Sequence, residues 1–245
     1  MGGKAVIESC LMKKEGYILQ QNLNQKENVQ MSDSRRLALV LAVSGGLMDA
    51  YTYLFRGRVF ANAQTGNILL LGVNLSEGKL QEALRYLFPV LAFACGIVLA
   101  ELIRHFYGKN NLFHWRQAAV LTECVILFLV GFLSPEYNAA ANAMVSFACG
   151  IQVESFRKVK GNAFSTTMCI GNLRSGTQAV CEYFFTREKG ILRRGLTYYG
   201  IIMAFTTGAI AGNETIKLFG QRAIWCSCLF LVAGCMLMFC RKKGI

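Results

Sequence analysis

Residues 37–55 read LALVLAVSGGLMDAYTYLF, an apolar run whose only charge is Asp49. An 18-residue helix rises about 27 Å, close to the ~30 Å hydrocarbon core of a bilayer. Five more runs of this kind follow, at 86–103, 117–134, 139–156, 195–212 and 223–240. Six crossings are therefore expected. Two further segments are apolar but interrupted: 62–77 carries Asn62, Gln64, Thr65, Gly66, Asn67 and Asn74, and 163–185 carries Asn172, Arg174, Ser175 and Gly176. These read as half-helices or re-entrant loops. The expected fold is an all-α integral membrane protein of six crossings and two half-helices.

Composition agrees with that reading. The 245 residues are 54% hydrophobic and 16% charged, whereas a soluble domain carries roughly a quarter charged residues. The net charge of +12 would suit nucleic acid if it formed one patch, but Lys and Arg stand at the ends of apolar runs, which argues against such a partner. The bilayer is the expected partner, and a homo-oligomer is compatible with the pattern. The ten Cys are scattered through the apolar runs and behave as small hydrophobes. Cys226 and Cys228 face different sides of a helix, so no metal or other cofactor is expected. Residues 1–35 form a polar extension with neither signal peptide nor membrane helix, and Met31 offers a second start.

The membrane domain, 36–240, repeats itself. One constant displacement lays Gly45, Asp49, Tyr51, Gly66, Asn67 and Ile68 on Gly150, Glu154, Phe156, Gly171, Asn172 and Leu173. A slightly larger one lays Ala92, Phe93, Gly96 and Ala100 on Ala204, Phe205, Gly208 and Gly212. The halves are 37–134 and 139–240. If all eight segments cross, Lys and Arg near the membrane divide evenly between its sides. If 62–77 and 163–185 return to the side they entered from, fifteen fall inside and six outside. The positive-inside rule thus favours three crossings per half, inverted halves, and both termini in the cytoplasm.

Ionisable groups inside a membrane segment cost ~2.5 to 3.5 kcal/mol and point to function. Asp49 and Glu154 hold matching places in the two halves. The alternative for both is interfacial pairing with Arg56, Arg58, Arg157 or Lys158. Gln64, Thr65, Gly66 and Asn67 offer a tight turn with free backbone groups, and the second copy, Ser165-Thr166-Thr167 through Gly171, Asn172 and Arg174, adds a guanidinium in the second half. With Gln152, these are the candidate solute-binding residues. Helix capping and close packing are the bland explanation of the Gly-Asn steps. Glu101 and Glu123 are secondary candidates for proton relay, each with an arginine, Arg104 or Arg116, nearby. His105 and His114 fall in a short link between helices, where interfacial histidines are ordinary.

Gly45-Gly46-Leu47-Met48-Asp49-Ala50, Phe60, Thr65-Gly66-Asn67, Gly150-Ile151-Gln152 and Gly171-Asn172 together resemble the YoaK-like family, bacterial multi-pass inner-membrane proteins grouped as a domain of unknown function. The resemblance covers about residues 36 to 240. Ile170-Gly171-Asn172 departs from the Thr-Gly step of the first half, and Glu154 stands where an uncharged residue is usual. The resemblance implies a helical fold in the bacterial plasma membrane and carries no activity. No nucleophile elbow, Walker loop, dinucleotide fingerprint or zinc-protease motif occurs, so the chain reads as no enzyme. A transporter or channel for a small polar or anionic solute is the leading expectation. A membrane protein that binds a lipid or a protein partner is the other.

Overall fold

The computed structural model describes residues 35–107, 115–156, 158–159, 162–163 and 166–239. The N-terminal extension, His114 and Ser165 lie outside them. Eight helices follow in order: α1 (Arg35–Leu54), α2 (Gln64–Ser76), α3 (Leu80–Tyr107), α4 (Trp115–Val130), α5 (Asn138–Ser155), α6 (Cys169–Thr186), α7 (Lys189–Phe219) and α8 (Trp225–Phe239). The six apolar runs fall on α1, α3, α4, α5, α7 and α8, and the two interrupted segments on α2 and α6. One small departure from an all-helical chain is a two-residue antiparallel ladder, Lys158–Val159 against Asn162–Ala163, between α5 and α6. By length and composition, Arg35–Leu54, Leu80–Phe106 and the near-continuous Lys189–Met238 are apolar enough to cross a membrane. The helices α4 and α8 are shorter, with 16 and 15 residues, and Asn138, Asn142, Ser146 and Gln152 make α5 more polar.

Glycines set the helix spacing. A Cβ on Gly46 would overlap the Phe205 carbonyl of α7, and one on Gly208 the Val43 carbonyl of α1. The same exchange joins α3 to α5, where Gly96 abuts the Phe147 carbonyl and Gly150 the Phe93 carbonyl. Small residues are how helices approach closely without water to drive them together. The remaining pairings come in the same matched form: α1 lies on α8 as α5 lies on α4, and α6 on α7 as α2 on α3. Leu37, Leu41, Met48, Leu127, Val145, Cys149, Ile224 and Leu231 fill the centre between α1, α4, α5 and α8.

Two of these contacts fix helix directions. Leu41 and Met48 of α1 and Arg56 just past its end meet Gln152, Cys149 and Asn142 of α5, so α1 and α5 run antiparallel. Cys124, Phe128 and Gly131 meet Cys228, Trp225 and Gln221, so α4 and α8 are antiparallel too.

The two short connections turn back into the protein. After α1, Gly57 and Arg58 take positive φ (92° and 62°) and reverse the chain. Asn62 then reaches the middle of α1, donating from Nδ2 to the Gly45 carbonyl (3.2 Å). Arg85, near the start of α3, donates to the Gly57 carbonyl. Thus α2 starts at mid-depth of α1, and α3 starts beside the end of α1. Before α6, Thr166 accepts a hydrogen bond from Gln152 Nε2 at 3.1 Å, and the Thr167 methyl lies against Gly45.

The glycine crossings predict that Gly96→Val and Gly208→Val each lower the thermal midpoint of the detergent-purified protein. Overpacking costs about 1–3 kcal/mol, and here the obstacle is backbone. Gly72→Ala, with nothing within 4 Å of the added methyl, is expected to leave the midpoint unchanged. Fluorescence-detected size exclusion after heating reads both.

Candidate functional site

A cavity of about 790 Å³ opens where the two chain reversals meet. Asp49, Ala50, Tyr53 and Leu54 of α1 form one wall, and Phe205 and Ala209 of α7 another. The starts of α2 (Ala63, Gln64, Thr65) and of α6 (Cys169, Ile170, Gly171) close the remaining sides. Neither helix start carries a side-chain cap. The first N–H groups of a helix have no partner within it and present the positive end of its dipole. Two such ends, one from each half of the chain, therefore converge on one mostly apolar cavity.

Asp49 is partly buried beside this cavity. Its Oδ1 accepts the Asn62 backbone N–H at 2.8 Å, which pins the reversed loop to α1. The Ala61 backbone N–H and the Asn62 side chain also approach the carboxylate. The expected pairing with Arg56 does not form, because that guanidinium is committed elsewhere. Arg56 is fully buried and donates to Tyr51 Oη (2.9 Å), Asn138 Oδ1 (3.2 Å) and the carbonyls of Ser134, Val130 and Leu133 (3.1, 3.2 and 2.7 Å). These carbonyls end α4, so the cation sits on the negative end of that helix.

Of the sequence candidates, the fold brings Asp49, Gln64, Thr65 and Gly171 to the cavity. Gly66 and Asn67 are not in an open turn, as the sequence suggested, but in the first turn of α2, turned inward. The Asn67 amide donates to the Phe60 carbonyl (2.7 Å) and to Gln64 Oε1 (2.8 Å), and its oxygen accepts the Phe60 N–H (3.1 Å). A Cβ on Gly66 would stand 2.8 Å from the Phe60 ring. Phe60, Gly66 and Asn67 therefore lock the reversed loop to its helix. Asn172 is likewise buried in the first turn of α6. Gln152 lies between α1 and α5, donating to the Leu41 carbonyl (3.3 Å) and Thr166. Arg174 is on the exposed side of α6, outside the cavity lining.

The Asp49–Glu154 match dissolves for a geometric reason. The crossings equate Gly46, not Gly45, with Gly150, and Val43 with Phe147, one residue short of the displacement that aligns the half-helices. Asp49 then falls opposite Val153. Glu154 instead stands 3.9 Å from Arg104, which also binds Glu101, an ion pair toward the end of α5 with a cation other than Arg56, Arg58, Arg157 or Lys158. Asn62, Thr167 and Phe205 also line the cavity; the sequence had offered Thr167 with the second Gly-Asn element and missed Asn62 and Phe205. Asn62 begins the polar segment before α2 and could have been read from that position; Phe205 carries no signal beyond its place beside Gly208.

A family model described as "Protein of unknown function (DUF1275)" matches residues 37–237. The chain belongs to this family. It is 28% identical over 211 residues to the "UPF0700 transmembrane protein YoaK" of Bacillus subtilis (strain 168), covering 82% of this chain and 92% of that protein. No solved structure matches. The DUF1275 chain is thus a membrane protein.

That lock predicts that Asn67→Ala, which strands the buried Phe60 N–H and carbonyl, lowers stability by about 1–3 kcal/mol. Gln64→Ala removes the acceptor for Asn67 and a donor to the Ala61 carbonyl (2.7 Å) but leaves both Phe60 groups paired, and is expected to cost less. Thermal unfolding of both variants in the same detergent tests the order.

Proposed function

We propose that this protein is a transporter or channel for a small anionic or polar solute, built from two inverted repeats. Each repeat comprises three crossings and one half-helix: α1 to α4, then α5 to α8. The observation that carries the reading is the meeting of two uncapped half-helix N-termini, Gln64 and Cys169, in one cavity beside Asp49. Transporters of inverted-repeat design bind their solutes where interrupted helices from the two halves meet near the midplane. Helix N-termini favour anions. The antiparallel course of α1 against α5 supports an odd number of crossings in the first half; four crossings would make the two helices parallel. The matched helix pairings support the repeat, and the excess of Lys and Arg supports cytoplasmic termini in a bacterial plasma membrane.

Asp49 shapes the electrostatics of this site. An anion between the two helix ends is repelled by the ionised carboxylate and accepted when Asp49 carries a proton. Binding and catalysis differ here: the cavity offers orientation and charge, and the reading assigns no reaction to it. The apolar side chains Leu54, Phe60, Met168 and Ile170 favour a second reading, in which the occupant is a lipid headgroup with part of its chain.

Two measurements test the proposal. In a Cys-reduced background, a single Cys at position 79 should react with an impermeant maleimide from outside intact cells, and a Cys at position 158 should not. The opposite pattern means eight crossings and removes the half-helices from the site. In detergent, phosphate, sulfate, acetate and glutamate are each titrated against thermal midpoint. At least one should stabilise, by about 2.7 kcal/mol at a hundred times its dissociation constant. The effect should strengthen as pH falls in the wild type and lose its pH dependence in Asp49→Asn. Stabilisation by added phospholipid with none by any anion would replace the solute with a lipid.

A further inference from the structure

Glu123 of α4 is fully buried, and neither carboxylate oxygen has a hydrogen-bond partner. Three thiols lie within reach of its charge: Cys149 from α5, Cys228 from α8, and Cys124 on its own helix. The charged groups of neighbouring elements are engaged elsewhere. Glu101 and Arg104 of α3 pair with each other, and Arg104 also approaches Glu154 of α5. Arg116 lies two turns earlier on α4, with its guanidinium against Trp115 and Phe156. Arg222, in the turn before α8, stacks on Trp225. An ionised carboxylate without any partner in such a place carries the full cost of desolvation, which a bound proton removes.

A second observation links this group to the cavity. The buried Cys149 thiol stands in the field of both Asp49 and Glu123, so the two carboxylates share one stretch of low-dielectric interior. The position equivalent to Glu123 in the second half is Ser227: Cys124 and Cys228 exchange contacts reciprocally, each sulfur toward the other's backbone oxygen (4.0 and 3.6 Å). Only one half of the fold therefore carries an acid there.

We propose that Glu123 is a proton-binding site at membrane depth, whose proton exchanges with solvent and is the ion coupled to solute movement through the Asp49 cavity. The coupling role rests on the transport reading above; the proton itself does not. The step is a simple transfer. Water-borne hydronium delivers a proton to one Glu123 oxygen, the acid is neutral while α4 stays packed against α5 and α8, and the proton returns to water when that interface opens.

Infrared difference spectroscopy on the full chain in lipid nanodiscs reads this directly. At neutral pH the wild type should show a protonated-carboxyl C=O band that is wholly absent in Glu123→Gln, the neutral isostere, and displaced in Glu123→Asp. Transfer to D₂O should shift the band within minutes. No difference between wild type and Glu123→Gln would mean an ionised side chain and overturn the proposal. A band that stays unshifted in D₂O for hours would mean a sealed, structural proton and overturn it equally. If Glu123→Gln fails to fold, the Glu123→Asp displacement carries the assignment, and an undisplaced band overturns it. Failure of every anion to stabilise the protein, with the band present and exchanging, would sink the transport reading and leave the proton site standing.

Discussion

Four backbone carbonyls set directly against glycines govern this structure. Helices in lipid gain little from burying apolar surface against one another, so contact depends on shape. By removing a side chain at Gly46, Gly208, Gly96 and Gly150, the sequence lets α1 sink onto α7 and α3 onto α5. With those two pairs fixed, α4 and α8 complete the centre. The helices α2 and α6 pack against α3 and α7, with their N-terminal ends lining the cavity. The cavity is what remains at the place where those ends meet.

The second demand is polar satisfaction. Irregular backbone at membrane depth survives only where protein or water supplies its hydrogen bonds. The loop before α2 meets that demand through the Asn62 bonds to Asp49 and Gly45, and the Asn67 amide bridging Phe60. Asp49 thus both anchors the loop and lines the cavity. Glu123 is a carboxylate buried with neither oxygen hydrogen-bonded, and such groups mark places where a fold does more than hold itself together.

Much of the helix layout was legible in the sequence because length and hydropathy alone decide it: the runs at 37–55, 86–103 and 139–156 reappear as α1, α3 and α5. The polar interruptions at 62–77 and 163–185 were equally visible, and both became helices that start at depth. The site was less legible. Gly66 and Asn67 looked like solute ligands because sequence shows which groups can hydrogen-bond but not which way they turn, and Phe60 takes them. The pairing of Asp49 with Glu154 failed by one residue, since the connection between α1 and α2 differs by one from its counterpart before α6. On a helix, one residue is a rotation of about 100°, enough to move an acid from the interior to an ion pair near the helix end.

Arg56 bears on how the chain is made. Its partners Val130, Leu133, Ser134 and Asn138 lie 74 to 82 residues further along. At about 5–20 residues per second, the ribosome delivers them roughly 4 to 16 s after Arg56 itself. Throughout that interval the guanidinium must be kept in headgroup water, so α1 can insert early but cannot settle to its final depth. The first half is finished only when the second has begun, and a nascent chain halted before residue 130 would hold an unburied arginine at the membrane surface for quality control to find.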